Sequence, residues 1–105
     1  MKRLVILGGG ESGVGAAILG KQKGYEIFVS DKGNISKKYK EVLLNNEIDF
    51  EENQHTESKI VNADVVMKSP GIPDKVELVK KLKEKGIPVI SEIEFAAQFT
   101  DAKII

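Results

Sequence analysis

The chain has 105 residues, 41% hydrophobic and 30% charged, with 16 basic residues balanced by 16 acidic ones. That length leaves room for one domain with a real core, and the even charge argues against a nucleic-acid clamp or an anionic-membrane binder, both of which need a basic excess. With no cysteine, disulfides and thiolate metal sites are excluded, and a single histidine argues against a histidine-built metal site. No apolar run approaches the roughly 20 residues that span a bilayer. Met1-Lys2-Arg3-Leu4 has the charge of a signal peptide, but the apolar stretch behind it runs straight into glycines. The expectation is a soluble, cytoplasmic single domain over residues 1–105.

Arg3 to Leu7 is a short run of branched apolar residues that stops at Gly8-Gly9-Gly10. A run of that kind reads as a strand buried on both faces, as in a parallel sheet. Ser12 to Lys23 has helical spacing, with Gly13, Ala16, Ala17 and Gly20 adding a face of small residues and Gly24 placed to end it. Glu26 to Ser30 is a second strand, closed by Asp31. Ser36 is placed to cap a helix whose Tyr39, Val42 and Leu43 share one face. Ile48 to Glu51 is a weaker strand, and Asn53 to Asn62 reads as loop with one helical turn at most.

Ala63 to Met67 is a buried strand followed by Ser69-Pro70-Gly71. Asp74 with Glu77 resembles a capping box ahead of a helix that Gly86 ends, and the lysines at 80, 81, 83 and 85 form its wet face. Ile87 to Ile90 is a fifth strand. Ser91 and Glu94 make a cleaner capping box for a short helix through Phe99. Lys103-Ile104-Ile105 looks like the start of a further strand, so the chain is expected to be a fragment. The alternation predicts an α/β fold, a Rossmann-like three-layer sandwich with a mostly parallel five-stranded sheet and helices on both faces.

Gly8-Gly9-Gly10-Glu11-Ser12-Gly13 fits G-x-G-x-x-G after a strand and at the opening of a helix. In such a loop the first glycine permits the turn, the second admits a diphosphate to the backbone, and the third lets helix and strand pack. The free amides of Glu11, Ser12 and Gly13, backed by the helix dipole, then face an anion. Asp31 ends the second strand, where dinucleotide folds place an acidic residue on a ribose. If the first and fourth strands are neighbours, the Ser69-Pro70-Gly71-Ile72-Pro73 loop faces the glycine loop across a crevice. His55 reads as a surface or loop-stabilising residue. Nothing in the sequence resembles a nucleophile–base pair, a Walker lysine or a carboxylate pair placed for acid–base work, so the expectation is a binding site with no catalytic and no metal-ligating residues. On these features alone, a UDP-type ligand and an NAD(P)-binding Rossmann module of a dehydrogenase or regulatory sensor stay equally open. A protein-interaction domain on the same scaffold is a third reading.

Four segments in order, V-I-L-G-G-G-E-S-G-V-G at 5–15, F-V-S-D at 28–31, K-S-P-G-I-P at 68–73 and G-I-P-V-I-S-E-I-E-F at 86–95, resemble the N-terminal domain of the Mur ligases of peptidoglycan synthesis. The S-E-I-E-F segment is most similar to the D-glutamate-adding members. The resemblance implies that Gly10, Glu11, Ser12 and Gly13 surround the diphosphate of a UDP-linked substrate. It also implies that Asp31 and Lys32 meet the uracil end, and that Gly71 lies against the nucleotide. For the parent enzyme it implies ATP-dependent addition of D-glutamate to UDP-N-acetylmuramoyl-L-alanine. ATP and magnesium would be bound by central and C-terminal domains that these residues do not include, since no G-x-x-G-K-[ST] sequence is present. No cofactor is expected on this chain itself, and neither nucleic acid nor membrane is an expected partner.

Overall fold

The alternating apolar residues of the first strand divide between separate cores. Leu4 and Ile6 enter one cluster with Val14, Ala17, Leu43 and Phe95, and Val5 and Leu7 enter another with Ile60, Val66 and Leu82. Both faces of the strand are therefore covered, as a continuous apolar run in a parallel sheet requires. In the computed structural model, which describes residues 2–69 and 77–97, β1 (Arg3–Leu7) leads to α1 (Glu11–Gln22), β2 (Glu26–Ser30), α2 (Lys37–Asn45) and β3 (Asp49–Glu51). Then come α3 (Glu57–Ile60), β4 (Val65–Lys68), α4 (Glu77–Glu84), β5 (Val89–Ser91) and α5 (Glu92–Ala97).

The sheet has five strands in the order β3-β2-β1-β4-β5, and every pairing is parallel. Side chains of α1, α2 and α5 line one face, and those of α3 and α4 the other. This is the expected three-layer α/β sandwich. In register, Glu51, Ser30, Leu7, Lys68 and Ser91 form one row across the sheet. All the carboxyl ends thus share one edge, and the direction of winding reverses between β1 and β4. Ligands of open α/β sheets bind outside such an edge, at such a reversal.

The small-residue face of α1 packs close to the sheet. A Cβ on Gly20 would stand 2.8 Å from Ile27 Cδ1 and 3.0 Å from Leu4 Cδ2. The Ser91–Glu94 capping box is present, with Ser91 Oγ accepting from Glu94 N–H at 3.1 Å and Glu94 Oε1 accepting from Ser91 N–H at 2.9 Å. It directs α5 back over the sheet, where Phe95 is buried and meets Tyr25 edge-on at 6.1 Å.

Some expectations shift. Ser36 is the N-cap of α2, but its hydroxyl makes no cap hydrogen bond; its carbonyl accepts from Tyr39 and Lys40 at 3.0 and 2.9 Å. The fifth strand begins later than its apolar run, because Ile87 N–H closes the end of α4 on Leu82 O and Pro88 has no N–H to give. The fourth strand starts at Val65: Asp64 N–H still donates to Arg3 O at 2.9 Å, but Arg3 N–H is taken by the Asp64 carboxylate at 2.7 Å rather than by a backbone carbonyl. The expected Asp74 cap, Phe99 and the final apolar residues lie outside the described residues, as does Gly71.

Candidate functional site

The glycine loop leaves β1 at the reversal point, and its three motif glycines meet three different constraints. Gly8 has φ +117, a conformation L side chains rarely adopt, and a Cβ there would stand 2.8 Å from Ser69 Cβ. Gly13 has no room, since its Cβ would lie 1.8 Å from Gly8 O and 3.3 Å from Ile6 Cγ2. Gly10, between them, is exposed and has nothing within 4 Å of the Cβ position. Two glycines are thus demanded by the protein itself. The third has, among the described residues, no atom within 4 Å of its Cβ position.

That space lies at the start of α1. Gly10 is the helix N-cap and supplies no side-chain cap, and the first backbone bond of the turn is Val14 N–H to Gly10 O at 2.9 Å. The N–H groups of Glu11, Ser12 and Gly13 precede that bond, so they are the donors a helix leaves without internal partners, at the positive end of its dipole. Ser12 is half-buried beside them, and the Glu11 side chain is exposed.

β2 places Asp31 against this loop. Asp31 Oδ2 accepts from Gly9 N–H at 2.7 Å and Oδ1 from Gly33 N–H at 2.8 Å, while Ser30 O accepts from Gly8 N–H at 2.8 Å. Lys32 follows, exposed. On the other side, Ser69 N–H donates to Leu7 O at 3.0 Å, which holds the exit of β4 beside the glycine loop. Gly10, Glu11, Ser12, Gly13, Asp31 and Lys32 are therefore brought to one rim.

A second layer of polar groups supports that rim. Ser30 is fully buried, and its Oγ–H donates to Glu51 Oε2 at 2.8 Å, with Gln54 O at 3.1 Å. His55 Nδ1 lies 2.6 Å from the same Oγ. Glu51 also accepts from the N–H of Thr56 at 2.7 Å and from its hydroxyl. Burial alone would raise the Glu51 pKa; the bonds from Thr56 and Ser30, with the charge of Lys59, outweigh it and hold the carboxyl below its ordinary value. For His55, burial and the Lys32 charge outweigh the opposite pull of Glu51 and Asp31, so its pKa falls below the ordinary value. Glu52 fastens the neighbouring segment, accepting from Ile35 N–H and from Lys40 Nζ, both at 2.9 Å. Those two bonds hold its pKa down as well.

Although Ser30, His55 and Glu51 are the residue types of a hydrolytic triad, they are arranged differently. The acid is bonded to the serine rather than to the histidine, and the serine is buried, so no nucleophile is presented. His55 has the loop-stabilising role read from the sequence. The parts played by Ser30, Glu51 and Glu52 escaped that reading, because a buried carboxylate in a Glu-Glu-Asn-Gln stretch looks like any solvated one. Among the described residues no group of three or more His, Asp or Glu side chains is placed to hold a metal ion, and no helix is long and apolar enough to cross a membrane.

Residues 3–78 match the family described as the MurD N-terminal domain. The chain belongs to that family. The UDP-N-acetylmuramoylalanine–D-glutamate ligase of Christiangramia forsetii is 64% identical over 99% of the chain, and that of Bacteroides thetaiotaomicron 61% identical over all of it. The chain spans about a quarter of the length of these relatives, 23% and 24% respectively. Among solved structures, a murein peptide ligase from Psychrobacter arcticus superposes with a TM-score of 0.84 at 19% identity, covering 95% of this chain and 21% of that one. That likeness is one of fold. The family match covers the first three of the four sequence segments and the whole-chain relatives cover the fourth, which bears out the Mur-ligase resemblance and sets the nicotinamide-dinucleotide module aside as a family reading.

Proposed function

We propose that this chain is the substrate-gripping domain of an ATP-dependent, cytoplasmic ligase that adds D-glutamate to UDP-N-acetylmuramoyl-L-alanine in peptidoglycan synthesis. In this reading its crevice holds the UDP end of the substrate. The diphosphate lies over Gly10 and accepts from the amides of Glu11, Ser12 and Gly13, with the Ser12 hydroxyl as a further donor. The uracil end lies toward Asp31 and Lys32, and Gly71 belongs to the loop that closes the other side. The observation that carries the reading is the open Cβ position of Gly10 at an uncapped helix start, between two glycines whose own roles are structural. Donors of this kind let a chain of zero net charge bind an anion.

The domain's share of the reaction is positional. Holding a remote nucleotide supplies binding energy that places the alanyl carboxylate for chemistry carried out elsewhere. The sequence has no phosphate-binding G-x-x-G-K-[ST]. ATP and its metal are therefore assigned to the remaining domains of the parent enzyme, which are also this domain's partners.

The test is a titration of the ¹⁵N-labelled chain with UDP-N-acetylmuramoyl-L-alanine, with NADH in parallel, for the wild type and for Gly10→Val. The expected result is shifts at Glu11–Gly13 and at Asp31–Lys32 with the UDP compound. In Gly10→Val these are expected to be lost while the fold is kept, since a Cβ there has no atom of the described residues within 4 Å. Shifts with NADH alone, or equal shifts in the variant, would overturn the proposal.

A further inference from the structure

We infer that Glu51, Ser30 and His55 form a positioning network for the nucleotide crevice, with His55 as the positioning residue that sets the Ser30–Asp31 peptide and, through it, the glycine loop. The crevice's ligand is the one proposed above; the network's mechanical role stands apart from it.

Ser30 and Asp31 bear on the glycine loop together. The carbonyl of Ser30 accepts Gly8 N–H and the carboxylate of Asp31 accepts Gly9 N–H. Whatever fixes these two residues fixes the turn leading to Gly10. The backbone contributes Asp31 N–H to Glu51 O at 3.1 Å and Gln54 N–H to Asp31 O at 3.2 Å. The side chain of Ser30 contributes the rest, and its proton inventory is decisive. A hydroxyl has one proton, and an ionised carboxylate only accepts. With Oγ–H committed toward Glu51, the 2.6 Å contact to His55 requires Nδ1–H as donor. His55 is thereby held as the Nδ1–H tautomer, and Ser30 Oγ is fixed from both sides.

The charged groups around His55 are Glu51 on β3 and Asp31 and Lys32 after β2, with Lys59 of α3 acting on Glu51. Burial keeps the ring neutral at neutral pH despite two nearby carboxylates, so the rim carries no added positive charge there. The network is built from residues on two strands and the loop after β3, all at the carboxyl edge of the sheet. None of them lies at the Gly10 space itself.

The experiment compares wild type, His55→Ala and His55→Asn by amide hydrogen exchange and by UDP titration. Asparagine returns an N–H donor near the Nδ1 position. In His55→Ala, exchange at Gly8, Gly9 and Asp31 is expected to quicken about five- to tenfold, the equivalent of one net hydrogen bond. UDP binding should weaken by a similar factor, the amides of Val79 and Leu82 on α4 should be unaffected, and His55→Asn should recover most of both effects. Unchanged exchange at Gly8 and Gly9 would overturn the inference. So would a uniform rise that includes α4, because that is a general loss of stability. A wild-type chain that ignores UDP refutes the proposed ligand, while the exchange comparison still decides the positioning role.

Discussion

Gly13→Ala and Gly15→Ala put the same methyl group on the same helix, two residues apart, and are expected to move stability in opposite directions. At Gly15 a Cβ meets nothing within 4 Å. The substitution there gains helix propensity and removes unfolded-state freedom, about 0.5–1 kcal/mol. At Gly13 the same gain is opposed by a Cβ 1.8 Å from Gly8 O, where ordinary contact begins at 3.4 Å. The obstacle is backbone, so no rotamer relieves it, and the helix start and the glycine turn must part by roughly 1.5 Å. Overpacking typically costs 1–3 kcal/mol, and a rigid obstacle belongs at the upper end. The expected net loss is about 2 kcal/mol, or about 10 °C in Tm for a domain of this size. Urea unfolding followed by circular dichroism measures both variants, with equal m-values confirming that the same transition is compared. A Gly13→Ala protein as stable as Gly15→Ala would refute the packing argument.

Two further outcomes are expected. Stability should be level above about pH 7 and fall on acidification. His55 has a folded pKa below its ordinary 6.5, so the unfolded chain takes up its proton first and stability drops as pH falls from 6.5 through the folded value. Glu51 and Glu52, also lowered, add a second decline below 4.5; thermal melts across this range check both, and His55→Asn should flatten the first decline. Phe95→Ala should cost about 3–5 kcal/mol by cavity formation, because the ring is 1% exposed and packed edge-on to Tyr25. A loss below 1 kcal/mol in a denaturant melt would show that α5 contributes little to the core.

Much of the architecture was legible because its signals are local. Arg3–Leu7 and Glu26–Ser30 begin and end where the apolar runs do, and Ser91 with Glu94 caps α5 as their spacing requires. The glycine motif was legible in kind, and its division of labour needed coordinates. Only the neighbouring backbone shows that Gly13 is excluded by Gly8 O while Gly10 faces open space. The polar support under the rim was not legible. Glu51 meets Ser30 across strands, and Glu52 meets Ile35 and Lys40 across loops. Such pairings depend on strand order, which no single segment encodes. The later start of β5 turns on Ile87 N–H being used by α4, a competition that apolar periodicity does not register.

Asp31 spends both carboxylate oxygens on backbone, one on Gly9 and one on Gly33. It therefore acts as a rivet between two loops before any ligand arrives. A recess assembled in advance costs an incoming molecule little ordering entropy, so affinity there is governed by the ligand's own desolvation and fit. It also makes Asp31 a poor site at which to measure recognition by substitution. Removing its carboxylate frees two turns at once, and the lost binding would combine a missing contact with a collapsed scaffold. The cleaner reporter is Gly10, whose Cβ position has no described atom within 4 Å, so that its substitution leaves the rivet in place.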